Sequence, residues 1–233
     1  MPAPHVRSVN VGSFTQQTGR WGPVRTGIVK TPVEVVEVRD PIVRKGAASG
    51  VIGDVIASKE HHGGRFQAVY AVAREELDWW SAQIGRDLPD GAFGENLTTI
   101  GYDVDAAVVG EVWSVGTALL QVSGPRVPCV KFARHMAVPR WVRRFTERGR
   151  TGAYLLVRAP GQIRPGDAIE VTERPDHGIT VPQVFAAIGG DPSARESVLA
   201  AGCVPDPVVR EELAATARRS AGSAGDTGLN AAR

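Results

Sequence analysis

A mostly β domain with a barrel-like core, followed by a small three-helix appendage, is the fold class this sequence predicts. Two observations carry it. Before Pro175 the apolar residues gather in short runs rich in Val, Ile and Leu, punctuated by Gly and Pro. Runs of about four to eight residues between turn signals read as strands. After Pro175 the punctuation changes to three successive sets of helix-start and helix-stop residues. The expected division is a β domain over 1–174, three helices over 175–220 and a tail over 221–233.

The strands are expected at Val33 to Val38, Ala68 to Val72, Val108 to Val115 and Ala118 to Val122. Gly161 to Asp167, with Pro165-Gly166 inside it, lies between Leu155-Leu156-Val157 and Ile169-Glu170-Val171. It reads as a hairpin-like reversal that closes the β-rich part. One helix interrupts the strands: Leu77, Trp80 and Ile84 fall at helical spacing in Arg74 to Ile84, and Gly85 stops it. Pro139 to Arg150 can supply another through Trp141, Val142 and Phe145. Many short strands with few helices point to a barrel-like closure. Thr180-Val181-Pro182-Gln183 then matches a capping box, ending at Gly189-Gly190. Asp191-Pro192 starts the next helix and Gly202 stops it. Asp206-Pro207 starts the third, whose Val209, Leu213 and Ala217 share a face. From Ala221 the chain is rich in Gly, Ala and Ser and reads as a disordered tail.

Composition narrows the function classes. The net charge of +2, from 27 basic and 25 acidic residues, gives no overall argument for nucleic acid or membrane binding, so any basic patch must be local. No stretch approaches the roughly 20 apolar residues of a spanning helix. Met1 to Asn10 lacks the apolar core of a signal peptide, and two cysteines make no disulfide scaffold. A cytoplasmic chain with reduced thiols is the expectation.

Four segments pair backbone punctuation with polar groups that a β domain does not need. Gly53-Asp54 is followed by His61-His62-Gly63-Gly64-Arg65. Adjacent His residues in a strand point to opposite faces, so at most one enters a given pocket. The glycines allow backbone N–H groups to approach an anion, although on residue types alone a polar turn before the strand Ala68 to Val72 is the favoured reading. Gly91-Ala92-Phe93-Gly94-Glu95-Asn96-Leu97 sets two polar side chains just before a strand, where Glu95 can take a proton and Asn96 can donate and accept. An ordinary Gly turn is the blander account. Ser123-Gly124-Pro125-Arg126-Val127-Pro128-Cys129-Val130-Lys131 follows a strand, and its prolines hold Cys129 in place. Arg126 and Lys131 flank the cysteine, and nearby positive charge favours a thiolate, which is both a soft metal ligand and a nucleophile. Cys203 in Ala201-Gly202-Cys203-Val204 reads as a small buried hydrophobe. Lys30, in Gly27-Ile28-Val29-Lys30-Thr31-Pro32, means little alone.

In order along the chain, these segments resemble the pattern of the molybdenum cofactor sulfurase C-terminal (MOSC) domain family. The matching residues are Lys30 and Pro32, Gly53-Asp54, His62-Gly63-Gly64, Gly91 through Leu97, Gly110-Glu111 and Pro125 through Lys131. Glu111 departs from the family's usual Asp. Each motif is weak by itself and the ordered set is specific. The appended helices, with Gly178-Ile179-Thr180 at their start, resemble the YiiM-like branch.

The resemblance implies a β-barrel-type fold and a bound molybdenum cofactor, with Cys129 as sulfur ligand to the metal. It implies reduction of N-hydroxylated and N-oxide small molecules, with electrons from a separate flavin-type reductase. Pyridoxal phosphate binding travels with it only as a family-level label. The cofactor's phosphate and dithiolene need cations and backbone donors, for which Lys30, Gly63, Gly64, Arg65, Arg126 and Lys131 are the candidates. His62, Glu95 and Asn96 are the candidates to protonate or hold the departing oxygen, with Cys129 at the centre. No Gly-x-Gly-x-x-Gly fingerprint is present, so electrons must come from outside. Three other classes remain: a carrier of the cofactor or of a persulfide on Cys129, a metal-free enzyme using Cys129 with His62 and Asn96, and a nucleic-acid-binding barrel, which the charge disfavours. No membrane partner is expected, and the sequence leaves a homodimer open.

Overall fold

The computed structural model of the chain describes residues 3–19, 22–44, 46, 48–57 and 62–226. The strands are β1 (His5–Gly12), β2 (Thr15–Gly19), β3 (Gly22–Thr26), β4 (Lys30–Val33), β5 (Val36–Val38) and β6 (Val69–Ala73), followed by β7 (Leu97–Ile100), β8 (Val112–Val115), β9 (Ala118–Pro125), β10 (Ala153–Ala159), β11 (Gly161–Ile163) and β12 (Ile169–Glu173). The helices are α1 (Arg74–Ile84), α2 (Val130–Met136), α3 (Trp141–Arg148), α4 (Val181–Ile188), α5 (Pro192–Ala201) and α6 (Pro207–Asp226).

Eight strands form one sheet in the order β12-β8-β9-β10-β6-β7-β1-β4. Every pair is antiparallel except β6 with β7, which are parallel because α1 carries the chain back between them. β2 with β3 and β5 with β11 form two separate ribbons. The expected barrel does not close. Its edges are β4 and β12, and among the described residues β1 meets the start of β12 only through the isolated bridge His5–Ala168 and flanking backbone bonds. β5 pairs with β11 on one side and bonds to the 50–52 segment on the other, so this ribbon does not link the two edges. The fold is a mixed α/β architecture on a large, mostly antiparallel sheet.

Several elements differ from the sequence expectation. Gly161 to Asp167 does not turn a hairpin: β10 is already paired on both sides, by β9 and β6, so β12 joins the sheet beside β8. Val33 to Val38 divides between β4 and β5, which pair with different partners. Val108 to Val115 is strand only from Val112, because Gly110 at φ 95° sits in a turn closed by Glu111 N–H to Val108 O at 2.9 Å. Helix α2 was not anticipated. Only Phe132 and Met136 mark its buried face, and two prolines precede it. Helix α6 continues to Asp226, past the expected start of the tail at Ala221, since adding residues to a formed helix is cheap. Residues 227–233 lie outside the described residues.

Two apolar clusters lie against the sheet. Strand β6 serves both by alternation, sending Val69 and Ala71 to one and Tyr70 and Val72 to the other. The first cluster holds Val9, Trp113, Leu120 and Leu155 and continues into Val181, Val184, Val198 and Leu213 of the last three helices. The core therefore crosses the 174/175 boundary. The second is aromatic: Trp80, Phe93, Phe132, Trp141 and Phe145 pack with ring centroids 4.5–6.2 Å apart. Large side chains buried this way contribute roughly 1.5–3 kcal/mol each. This aromatic cluster fixes α1, α2 and α3, and with them the loop that carries Cys129.

Candidate active site

An open cleft with about 690 Å³ of empty space gathers residues from distant parts of the chain. Thr26 to Ile28 and Lys30 supply one part of its lining, and Asp54 to Ala57 another. His62, Gly63, Asn96, Arg126, Cys129 and Lys131 contribute the remaining groups that the sequence singled out. Close backbone approach builds the wall. A Cβ on Gly27 would stand 2.1 Å from Val55 O, so only glycine lets these two segments meet.

Lys30 opens β4 and donates to both oxygens of Asp54, at 2.5 and 2.6 Å. Both side chains are almost fully buried, at 6% and 3% exposure. Burial lowers the Lys30 pKa and the Asp54 carboxylate partly offsets this. Asp54 also accepts from Gly12 N–H at 2.8 Å, Ser49 Oγ at 3.0 Å and Asn96 Nδ2 at 3.0 Å. Asn96 extends the network: its Oδ1 accepts from Tyr70 N–H at 3.2 Å and its Nδ2 donates to Asn10 O at 3.2 Å. One carboxylate thus joins β1, β4, the 49–54 segment and the start of β7.

Cys129 stands at the N-cap of α2 with extended backbone, half-buried, directly after the rigid Pro125–Pro128 run. Arg126 is 7% exposed and donates Nη1 to Phe93 O at 2.6 Å. Its guanidinium carbon lies 4.1 Å from the Phe132 ring centroid and 5.0 Å from that of Tyr70. Cation–π contact therefore fixes the arginine beside the cysteine loop. Its Nε–H is buried and has no acceptor among the described residues.

Seven of the ten singled-out residues line the cleft: Lys30, His62, Gly63, Asn96, Arg126, Cys129 and Lys131. Glu95, Gly64 and Arg65 do not. Glu95 is fully buried and accepts from Gly91 N–H, Phe93 N–H and Thr98 Oγ1 at 2.6–2.9 Å. Burial raises its pKa against those bonds, and its geometry is that of a loop organiser. Arg65 points away, paired with Asp40 at 2.7 Å. The glycine N–H groups are also committed: Gly63 donates to Gln67 Oε1 at 3.2 Å and Gly64 to Ala48 O at 3.0 Å. Gly63 is required for another reason, since at φ 84° its Cβ would meet Gly46 O at 2.5 Å. His61 lies outside the described residues.

The sequence reading missed Tyr70 and Tyr154, which line the cleft with rings 5.2 Å apart. Burial raises both phenol pKa values, so both hydroxyls stay protonated at neutral pH. Strand alternation in β6 and β10 marks them only as core residues, which is why no local signal identified them. Asp54 was visible solely as half of a Gly-Asp pair.

The donor set fits the molybdenum cofactor better than a bare metal ion. Among the described residues no group of three or more His, Cys, Asp or Glu is placed to hold a metal. A single thiol suits a metal that arrives with sulfur ligands of its own. Arg126, with its unsatisfied Nε–H, and Lys131 supply the positive charge that an anionic cofactor needs.

The open, mostly antiparallel sheet and the cleft together define a mixed α/β protein that presents one cysteine among cations. The profile of the MOSC domain matches residues 58–170. The uncharacterized protein YflK of Bacillus subtilis is 33% identical over 176 residues, covering 76% of each chain. A protein of Gibberella moniliformis named Reductase is 38% identical over 172 residues, which cover 69% of this chain and 30% of that one. The crystal structure of YiiM from Geobacillus stearothermophilus superposes with a TM-score of 0.72 at 27% identity, covering 92% of this chain and 99% of that one. The chain belongs to the MOSC domain family, in its YiiM-like group.

Proposed function

We propose that the protein is a cytoplasmic molybdenum-cofactor reductase that removes oxygen from N-hydroxylated or N-oxide small molecules. The observation that carries this reading is the meeting of Cys129, Arg126, Lys131, His62 and Asn96 in one cleft. When bound, the cofactor supplies the redox centre. Cys129 offers its thiolate to the metal, while Arg126 and Lys131 neutralise the cofactor's negative charge. His62 and the protonated Tyr154 stand in the lining where a departing oxygen needs a donor. Asn96 is held by Asp54 and Asn10, so it orients rather than protonates. A separate flavin-type reductase supplies the electrons. The relative named Reductase supports the activity class.

The test is elemental analysis and turnover of an N-hydroxylated base, using protein made in a host with an intact cofactor pathway. Stoichiometric molybdenum with turnover is expected. Cys129→Ser should abolish both, because a hydroxyl is a far weaker and harder ligand. Cys203→Ser should change neither: burial raises that thiol's pKa and keeps it neutral. Molybdenum retained without turnover would indicate a carrier, and activity from a molybdenum-free host would indicate a metal-free enzyme. Equal behaviour of the two cysteine variants would remove Cys129 from the centre.

A further inference from the structure

The chain carries a net charge of only +2, yet Val130 to Arg150 contains seven Arg or Lys residues and one Glu. That concentration falls on α2 and α3. Their inner faces bury Phe132, Met136, Trp141 and Phe145, so their charges turn outward. Some of these charges are already committed. Arg148 and Arg150 hold Glu76 at 2.8–3.0 Å, and Arg143 holds Glu147 at 2.7 Å. Arg134, Arg140 and Arg144 have no carboxylate partner among the described residues.

Exposed apolar side chains accompany them. Val127 and Val130, at 48% and 61% exposure, flank Cys129 in the chain, and Val142 of α3 is 39% exposed. Apolar residues beside a rim rich in arginine form the composition of a protein interface. A surface for single-stranded nucleic acid would instead present aromatic rings for stacking, whereas the rings of α2 and α3 are buried. The position also matters. Cys129 caps α2 and Lys131, two residues on, lines the cleft, so a protein seated here stands against the helix that carries the thiol.

We infer that the outward face of α2 and α3, together with the exposed Val127 and Val130 on either side of Cys129 in the chain, docks the acidic surface of the flavoprotein that donates electrons. The inference rests on the reductase reading. In the coupled reaction the donor's reduced flavin gives up two electrons, the substrate's N–O bond breaks, and the oxygen leaves as water with two protons. Unpaired arginines attract and orient an acidic donor, which acts mainly on the rate of encounter and is screened by salt.

The experiment compares wild type, Arg134→Glu/Arg140→Glu and the distant control Arg218→Glu on α6. Two reductants drive holoprotein turnover: reduced methyl viologen, a small molecule that needs no docking surface, and reduced flavodoxin, an acidic protein. Binding of flavodoxin and of a single-stranded oligonucleotide to cofactor-free protein is titrated in parallel. The double variant should keep the viologen-driven rate, raise the KM for flavodoxin about tenfold at low salt, and weaken binding by a similar factor. The difference should close at high salt, and the control should match wild type. An unchanged flavodoxin KM, an equal loss in the control, or a wild type driven by viologen but not by flavodoxin would each overturn the docking surface. Loss of oligonucleotide binding with flavodoxin binding intact would reassign the face to nucleic acid. If viologen drives no turnover in molybdenum-loaded wild type, the reductase reading itself fails.

Discussion

Arg126 shows how context changes the meaning of one residue. Read from the sequence, it is a phosphate anchor, and Arg126→Lys would chiefly cost cofactor affinity. In the fold its guanidinium lies over Phe132 and Tyr70 and donates to Phe93 O, tying the Gly91–Gly94 turn to the cysteine loop. A lysine has neither the planar face nor the fork to replace these contacts. Arg126→Lys is therefore expected to lower folding stability by about 1–3 kcal/mol, besides weakening cofactor retention. Urea unfolding of the cofactor-free protein checks it, and an unchanged midpoint would restore the pure anchor. Asp105 gives a pH-dependent counterpart. It is 1% exposed, accepts from Gly152 N–H at 3.0 Å, and its second oxygen has no hydrogen-bond partner among the described residues. Burial, opposed by Arg150, raises its pKa to about 6, whereas the unfolded chain ionises it near about 4. The folded state then holds a proton that the unfolded state has released. That contribution to stability is complete below about pH 4 and is lost as pH rises through about 6. Asp105→Asn should add up to about 3 kcal/mol at pH 8 and much less at pH 4. Equal effects at both pH values would contradict the assigned cause.

At the scale of elements, local chemistry predicts best where the signal is itself local. Helix α1 runs from Arg74 to Ile84 and ends at Gly85 in the left-handed region, as its spacing and stop residue require. Helix α4 has its capping box, with Thr180 N–H donating to Gln183 Oε1 at 2.8 Å. Helix α5 starts on Asp191, whose Oδ1 accepts from Ala194 N–H at 2.8 Å. Asp191→Ala is expected to cost about 1 kcal/mol by leaving that donor without its cap, whereas Asp191→Ser should cost only a few tenths. Thermal unfolding of the two variants decides this, and equal losses would show that the side-chain oxygen is not what matters. Strands were less legible because pairing is not local. Leu155 to Val157 and Ile169 to Val171 look alike in sequence, and only the full occupation of β10 by β9 and β6 sends β12 elsewhere.

For the whole molecule, the change in composition at Pro175 suggests two separable parts. The apolar cluster crosses that line, joining Val181, Val184, Val198 and Leu213 to the sheet residues Trp113 and Leu120. Arg44 adds a link, donating to both oxygens of Asp206 at 2.9 and 3.1 Å from the 41–44 segment to the start of α6. A chain stopped at Arg174 would expose the sheet residues that these helices cover. It is expected to lose cooperative unfolding or to aggregate, because apolar area that the native fold buries would face water. A soluble truncation that unfolds cooperatively in urea would establish instead that 1–174 closes its own core.

The sequence by itself determined the family, most of the described strand positions at least in part, the first helix and the caps of the last three helices. It also determined that Cys129 sits in a rigid basic loop. These features are written in neighbouring residues, through side-chain period, capping oxygens and glycine turns. Tertiary structure alone decided that the barrel stays open, that Glu95 and Arg65 are spent elsewhere, and that Asp54 joins Lys30 to Asn96. Each of those depends on which distant group reaches a donor or acceptor first. A hydrogen bond between residues 24 or 42 positions apart leaves no periodic mark on the chain that makes it.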